Sequence, residues 1–238
     1  MKVTLTRITE NPIMAIEEAA SNCYNSEPAG DGRIMKHCIK SGHTSVTEFC
    51  DFTFHIEGVS RALSHQLVRH RLASYAQRSQ RYCVEDDFDY VVPLSIKSKP
   101  DALKMYKNIM ESLAEGYHAL NSNLGIPAED SRMILPNACE TQIEVKMNLR
   151  TLMNFMNERL CSCAQWEIRE LAIKMRKAII EKVPELAEYL VPKCEKYGKE
   201  FGFCTETKQR REQLKCNRHP RLAEIFEDYH NYQDMCNS

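Results

Sequence analysis

Residues 142–149 read QIEVKMNL, and residues 51–56 read DFTFHI. In the first stretch Ile143, Val145, Met147 and Leu149 oppose Gln142, Glu144, Lys146 and Asn148. In the second, Phe52, Phe54 and Ile56 oppose Asp51, Thr53 and His55. Side chains of a strand point alternately to its two faces, so this pattern predicts strands with one buried face and one polar face. One-sided strands belong to antiparallel sheet, since parallel strands are covered on both sides. Helical and strand patterns interleave along the chain without a regular strand–helix–strand rhythm. The expected fold class is therefore α+β: a mainly antiparallel central sheet flanked by helices.

Outward from these strands, the first ten residues also read as a strand. Asn11-Pro12 then supplies an N-cap and a proline at the first helical position, followed by Ile13, Ile16, Ala20 and Cys23 at helical spacing. A short helix is expected between Asp31 and Gly42, and another over 59–70, leading into a polar, arginine-rich segment to about residue 82. A long helix follows Pro100, with Leu103, Tyr106, Met110, Leu113, Tyr117 and Leu120 as its apolar stripe, and Gly125 ends it. Pro127 opens a short helix that Pro136 closes. Further helices fit 151–161 and 166–182, with another short one from Pro184.

The chain has 238 residues, 43% of them apolar and 27% charged, with a formal net charge of −1. Whole-molecule attraction to nucleic acid or to an anionic membrane is not expected at that charge. No run is apolar enough to span a bilayer, and the MKVTLTRITE start lacks an apolar signal core, so a cytoplasmic protein is expected. Eleven cysteines without a Cys-x-x-Cys pair read as reduced thiols rather than as a disulfide framework. No G-x-G-x-x-G or Walker glycine loop is present to cradle a phosphate.

Local charge is another matter. Between Gly58 and Val84 there is no acid, yet Arg61, Arg69, Arg71, Arg78 and Arg81 are there, densest in RHRLASYAQRSQR, residues 69–81. Guanidinium forks grip phosphate bidentately, and Ser74, Gln77, Ser79 and Gln80 add neutral hydrogen-bonding groups suited to a polar ring. Composition alone leaves a second reading open: a basic surface loop paired to acids elsewhere. On the helix after Asn148, Arg150, Asn154 and Asn157 fall at i, i+4, i+7 and form a polar stripe, with Leu152, Phe155, Met156 and Leu160 on another side. Asparagine is a poor helix former, so two on one stripe indicate either a ligand or a satisfied buried contact.

Arg69-His70-Arg71 followed after seven residues by Ser79, continuing Gln80-Arg81-Tyr82, resembles the signature of the flavin-dependent thymidylate synthases. GHTSVTEF (42–49), Arg132 in SRMILP and NLRTLMNFMNERLCSCAQWEIRELA (148–172) resemble further segments of that family, in the same order, over roughly residues 1–190. The resemblance implies a non-Rossmann flavin-binding fold and reductive methylation of dUMP to dTMP. FAD would be the cofactor, with NADPH and methylenetetrahydrofolate as co-substrates and no cysteine nucleophile. It further implies a homotetramer with shared active sites, and no nucleic-acid or membrane partner.

Residue by residue, the resemblance places Gln66, Arg69, Gln77, Arg78, Ser79, Gln80, Arg81, Arg132 and Arg159 at dUMP-binding positions. Arg159 is the catalytic one, favouring the ionised uracil. His43, Ser45, Arg69, His70, Arg71, Gln77, Asn148, Arg150 and Asn154 fall at FAD-contacting positions, with Glu48 in the same segment as His43. Two positions depart from the pattern: Ala76 stands where some relatives have Asn, and Cys163 where many have His. His43 has a local alternative, capping the helix before it. A rival reading is a noncatalytic nucleotide- or RNA-binding module that uses residues 61–81; another is an enzyme of another kind that binds a phosphorylated pyrimidine without flavin.

Residues 1–193 are expected to form the synthase domain and 194–238 a basic, cysteine-containing extension. Cys194, Cys204, Cys216 and His219 offer the ligand types of a zinc site. Their spacing is wide and no close pair is present, so free thiols and no metal are expected.

Overall fold

In the computed structural model of the chain, residues 1–227 are described; Cys236 and the rest of the extension beyond 227 lie outside them. The chain divides into two compact units. Unit 1 comprises residues 1–7 and 52–146, and unit 2 comprises residues 8–51 together with the chain from Met147 onward.

The sheet gives unit 1 its frame. It has four strands in the order β1-β2-β4-β3: β1 (Lys2–Ile8), β2 (Asp51–Ser60), β3 (Ser74–Gln77) and β4 (Glu140–Asn148). Its ladder is antiparallel, with β3 on β4 in the register Ser74↔Lys146 to Gln77↔Ile143. The alternation holds: Phe52, Phe54, Ile56, Ile143, Val145 and Met147 are buried, while Gln142 and Lys146 are exposed. β2 runs four residues beyond the alternating stretch. Gly58 sits there at φ +66°, and an added Cβ would meet the Met1 backbone nitrogen at 3.0 Å. After it the burial pattern breaks step, and Ser60 caps the next helix by accepting from the Leu63 amide at 3.0 Å. That helix is accordingly shorter than 59–70.

The helices are α1 (Pro12–Tyr24), α2 (Arg33–Lys40), α3 (Arg61–Leu67), α4 (Leu94–Lys97), α5 (Pro100–His118), α6 (Ala128–Ser131), α7 (Leu149–Arg159), α8 (Trp166–Ile180) and α9 (Lys208–Leu214). In unit 1, Tyr106 and Leu113 of α5 pack on a cluster of Phe88, Met110 and Cys139, and the Tyr106 hydroxyl donates to the Val91 carbonyl at 2.9 Å. α5 continues as a π turn over Ala119–Asn123 before Gly125.

In unit 2, α1 carries Glu17, fully buried. Its carboxylate accepts from the amides of Gly30 (2.6 Å), Ile34 (3.0 Å) and Met35 (3.4 Å), satisfying the open N-terminus of α2. Leu152, Phe155 and Met156 of α7 are buried, as are Ile168, Leu171, Met175 and Ile179 of α8. Asn11 holds the predicted cap position of α1, but in a left-handed conformation and without a side-chain bond. No helix among the described residues is long and apolar enough to cross a membrane.

Strand β3 was not foreseen. It is a four-residue edge strand whose outward residues are exposed and whose inward ones are only half buried, so it leaves no apolar alternation to read.

Candidate functional site

The predicted residues divide between the units. Unit 1 carries Gln66, Arg69, His70, Arg71, Gln77, Arg78, Ser79, Gln80, Arg81 and Arg132; unit 2 carries His43, Ser45, Asn148, Arg150, Asn154 and Arg159.

In unit 1, α3 ends at Leu67 and the chain turns through Arg69-His70-Arg71 before entering β3. The turn is pinned by Tyr75, whose hydroxyl shares its proton between the carbonyls of Leu67 and His70 at 2.8 and 2.9 Å. Burial pushes that phenol up to about 12, so it stays a donor. Arg69 and Arg71 are exposed, and neither has a carboxylate partner among the described residues. Gln77 leaves β3 inward, its amide donating to Ser64 Oγ (2.9 Å) and Thr141 Oγ1 (3.3 Å).

Beyond β3 the guanidiniums gather. Arg78 Nε lies 3.3 Å from Glu85 Oε1, and Arg61 reaches the Arg78 carbonyl at 3.5 Å. Arg81 pairs with Glu129 at 2.9 Å, and Arg132 donates to the carbonyl of the same Glu129 at 3.1 Å. Burial lowers the Arg61 pKa, and the positive charge of Arg132 pushes the same way; burial also raises that of Glu85 against the pull of Arg78 and Arg61. The open alternative of acid pairing thus holds for Arg78 and Arg81, while Arg69 and Arg71 meet no carboxylate among the described residues.

Ser79 accepts from the Arg81 amide at 3.3 Å, the posture of a turn-forming or binding hydroxyl. Gln80 is buried with its amide 3.5 Å from Cys139 Sγ. Burial pushes the Cys139 thiol up to about 11, which leaves it protonated and a poor nucleophile.

In unit 2, Gly42 and His43 close α2. Gly42 sits at φ +82° and donates to Ile39, and the His43 amide donates to Cys38 at 2.8 Å, a Schellman ending. The capping alternative for His43 is therefore met by its backbone, and the side chain is left exposed. Ser45 and Glu48 follow on a 3-10 helix (Thr44–Phe49), and Glu48 pairs with Arg150 of α7. These residues come together.

Arg159 is nine residues along α7 from Arg150, roughly 13 Å at 1.5 Å per residue, and so stands apart from that pair. Asn148 caps α7, accepting from the Thr151 amide at 2.9 Å. Asn154 is exposed, but Asn157 is not on an exposed stripe with it. Asn157 is buried and donates to the carbonyls of Met153 (2.7 Å) and Val191 (3.2 Å). Of the two explanations for asparagines here, the satisfied buried contact applies to Asn157.

The sequence did not single out Arg61 as a site residue, nor Glu85 and Tyr75 at all. For Arg61 a signal existed, since it opens the acid-free stretch and begins α3. For Glu85 and Tyr75 none did, because their partners are fixed only by the fold.

The fold is α+β, and each unit exposes polar candidates: guanidinium groups on unit 1, and an imidazole and an amide group on unit 2. Comparison with known proteins agrees. The family model "Thymidylate synthase complementing protein" matches residues 4–185. The chain is 42% identical over 206 residues to the flavin-dependent thymidylate synthase of Geobacter sulfurreducens, covering 82% of this chain and 88% of that one. It is 39% identical over 224 residues to the Pyrococcus furiosus protein of the same name, covering 87% and 90%. A crystal structure of the flavin-dependent thymidylate synthase of Helicobacter pylori, complexed with FAD and dUMP, matches the fold with a TM-score of 0.65 at 23% identity, over 80% of this chain and all of that one. The chain belongs to this family, the flavin-dependent thymidylate synthases.

Proposed function

We propose that the chain methylates dUMP to dTMP with FAD as its bound cofactor, taking carbon from methylenetetrahydrofolate and reducing equivalents from NADPH. The observation that carries the reading is the gathering of Arg61, Arg78, Arg81 and Arg132 about two carboxylates, next to a turn that presents Arg69 and Arg71 unpaired. A nucleotide phosphate offers such guanidiniums a partner. Gln66, Gln77, Ser79 and Gln80 would complete the dUMP contacts.

In each unit the candidate groups suit part of a flavin dinucleotide, an anion with a broad polar ring: Arg69, His70, Arg71 and Gln77 in unit 1; His43, Ser45, Asn148, Arg150 and Asn154 in unit 2. When bound, FAD supplies the hydride chemistry that completes the methyl group. The protein's own part is to bind, orient and stabilise charge. Arg159 would hold the uracil in its ionised, more nucleophilic form, and a fixed cation lowers the cost of that anion. Tetrahydrofolate leaves without being oxidised.

The synthase domain would span residues 1–193, with 194–238 as an extension. The working form would be a cytoplasmic homotetramer with shared active sites, engaging neither nucleic acid nor membrane. Verified mixed tetramers of an Arg159→Ala subunit with an Arg78→Ala subunit should regain activity; no recovery would count against sharing.

The visible absorption spectrum of purified protein, before and after adding FAD, tests the cofactor. Bound-flavin bands are expected. A colourless protein that ignores FAD but binds RNA in a salt-sensitive way would favour the rival binding module.

A further inference from the structure

Cysteine is used in two ways in this chain. Cys38, Cys50 and Cys139 are buried, small apolar residues of a core. Cys161, Cys163, Cys194, Cys204 and Cys216 are not: all five are half-exposed, and with His219 they line one cavity of about 20 Å³. That volume is too small for an organic ligand and suits a single water or ion.

Four separate segments deliver these side chains. Cys161 and Cys163 sit in the turn after α7, closed by the Ala164 amide donating to Cys161 at 3.0 Å. Cys194 lies in a 3-10 helix (Lys193–Glu195). Cys204 pairs with Arg221 in an isolated parallel bridge, and Cys216 follows the left-handed Lys215 that ends α9. His219 lies against Gly202 so closely that a Cβ there would fall 2.4 Å from the ring; only glycine admits the imidazole.

The donor atoms fall in two groups on the wall of this one cavity. Those of Cys161, Cys163 and Glu206 lie within 4.8 Å of one another, as do those of Cys194, Glu195 and His219, while Cys204 and Cys216 line the cavity outside either group. A tetrahedral zinc site with Zn–S bonds of about 2.3 Å holds its sulfurs roughly 3.8 Å apart, so binding would draw the two groups together across the cavity. Lys193, Arg211 and Arg218 line the same cavity, each paired with a carboxylate (Glu206, Glu224 and Glu195).

Within the described residues the extension is held by ion pairs such as Lys193–Glu206 and Arg211–Glu224 and by backbone hydrogen bonds, not by an apolar core. From Cys194 to Glu227 no residue is fully buried, yet the segment keeps a defined path with a helix and a bridge. Small segments without a core need a staple, and reduced cysteines with a histidine supply a metal one.

We propose that this cluster binds one Zn2+, with four ligands drawn from Cys161, Cys163, Cys194, Cys204, Cys216 and His219. The ion ties the extension to the end of α7, in the turn that begins two residues after Arg159. Wide sequence spacing hid this site, because its ligands meet only in the fold. The proposal is independent of the thymidylate reading.

Elemental analysis of the full-length chain, purified without a histidine tag or chelator, tests it. About one zinc per chain is expected, and replacement by Co2+ should give thiolate-to-metal charge-transfer bands in the difference spectrum. Cys161→Ser, Cys163→Ser and Cys194→Ser together leave only three of the six candidate ligands and should abolish both, while Cys23→Ser, at an exposed cysteine outside the cluster, should change neither. Should that variant fail to fold, alkylation of the wild-type chain decides the matter: Zn2+ should protect three or four of the five cluster thiols and leave Cys23 reactive. Protein without zinc that takes up no Co2+, alkylation unaffected by Zn2+, or iron with acid-labile sulfide in place of zinc would each overturn the proposal.

Discussion

The arginine segment of unit 1 and the polar stripe of helix α7 in unit 2 look alike in sequence, each offering more hydrogen-bonding groups than its place requires. The fold treats them differently. The segment keeps Arg69 and Arg71 exposed and unmatched among the described residues, while α7 spends Asn148 on its own N-terminus and Asn157 on two carbonyls. The exposed Asn154 and Arg150, which pairs with Glu48, are the candidates proposed there for FAD, and Arg159 the one proposed for the uracil. A polar residue near a helix end has local work available to it, whereas in the acid-free segment Arg78 and Arg81 find carboxylates only from elsewhere in the chain and Arg69 and Arg71 find none among the described residues. The second pattern is therefore the better guide to a binding site.

Substitutions can break or sharpen that contrast. Arg159→Ala should have the largest effect, lowering kcat by about 10²–10³ with FAD binding retained, if the group stabilises charge in the transition state. Steady-state kinetics with a parallel flavin titration checks this. Arg78→Ala should act on substrate instead, weakening dUMP about 10- to 100-fold for a lost charge-assisted hydrogen bond of about 1.5–3 kcal/mol. Equilibrium dUMP binding reads it directly.

On α7 the two asparagines should separate. Asn157→Ala removes the hydrogen bond to the buried Val191 carbonyl and should cost about 1–3 kcal/mol in denaturant unfolding. Asn154→Ala should stay within about 0.5 kcal/mol of wild type while weakening FAD. If the two behave alike, the division of α7 into internal and ligand-facing residues is wrong. The smallest effect expected is at Tyr75→Phe. It removes one shared hydroxyl bond, worth about 1 kcal/mol, and should loosen FAD several-fold through the Arg69–Arg71 turn.

The sheet was legible because β2 and β4 each bury one face, and a period of two survives any sequence context. The path past Gly58 was less so, since a positive φ shifts the pattern without announcing itself. β3 was hidden as a polar edge strand. In the site, the arginines could be read as charge without counter-charge. Glu85 and Tyr75 could not, because an ordinary Glu and an ordinary Tyr acquire meaning only from the Arg78 guanidinium and the Leu67 carbonyl that the fold brings to them. Asn157 shows the limit from the other side: helical spacing put it on a stripe with Asn154, and burial near Val191 took it off.

The most direct test of the account is tritium release from 5-tritiated dUMP by the purified chain with NADPH and methylenetetrahydrofolate. Release that needs added or bound FAD and all three substrates, and that collapses in Arg159→Ala, is the result expected. No release from a folded, flavin-saturated protein, or release that proceeds equally well without flavin, would contradict it.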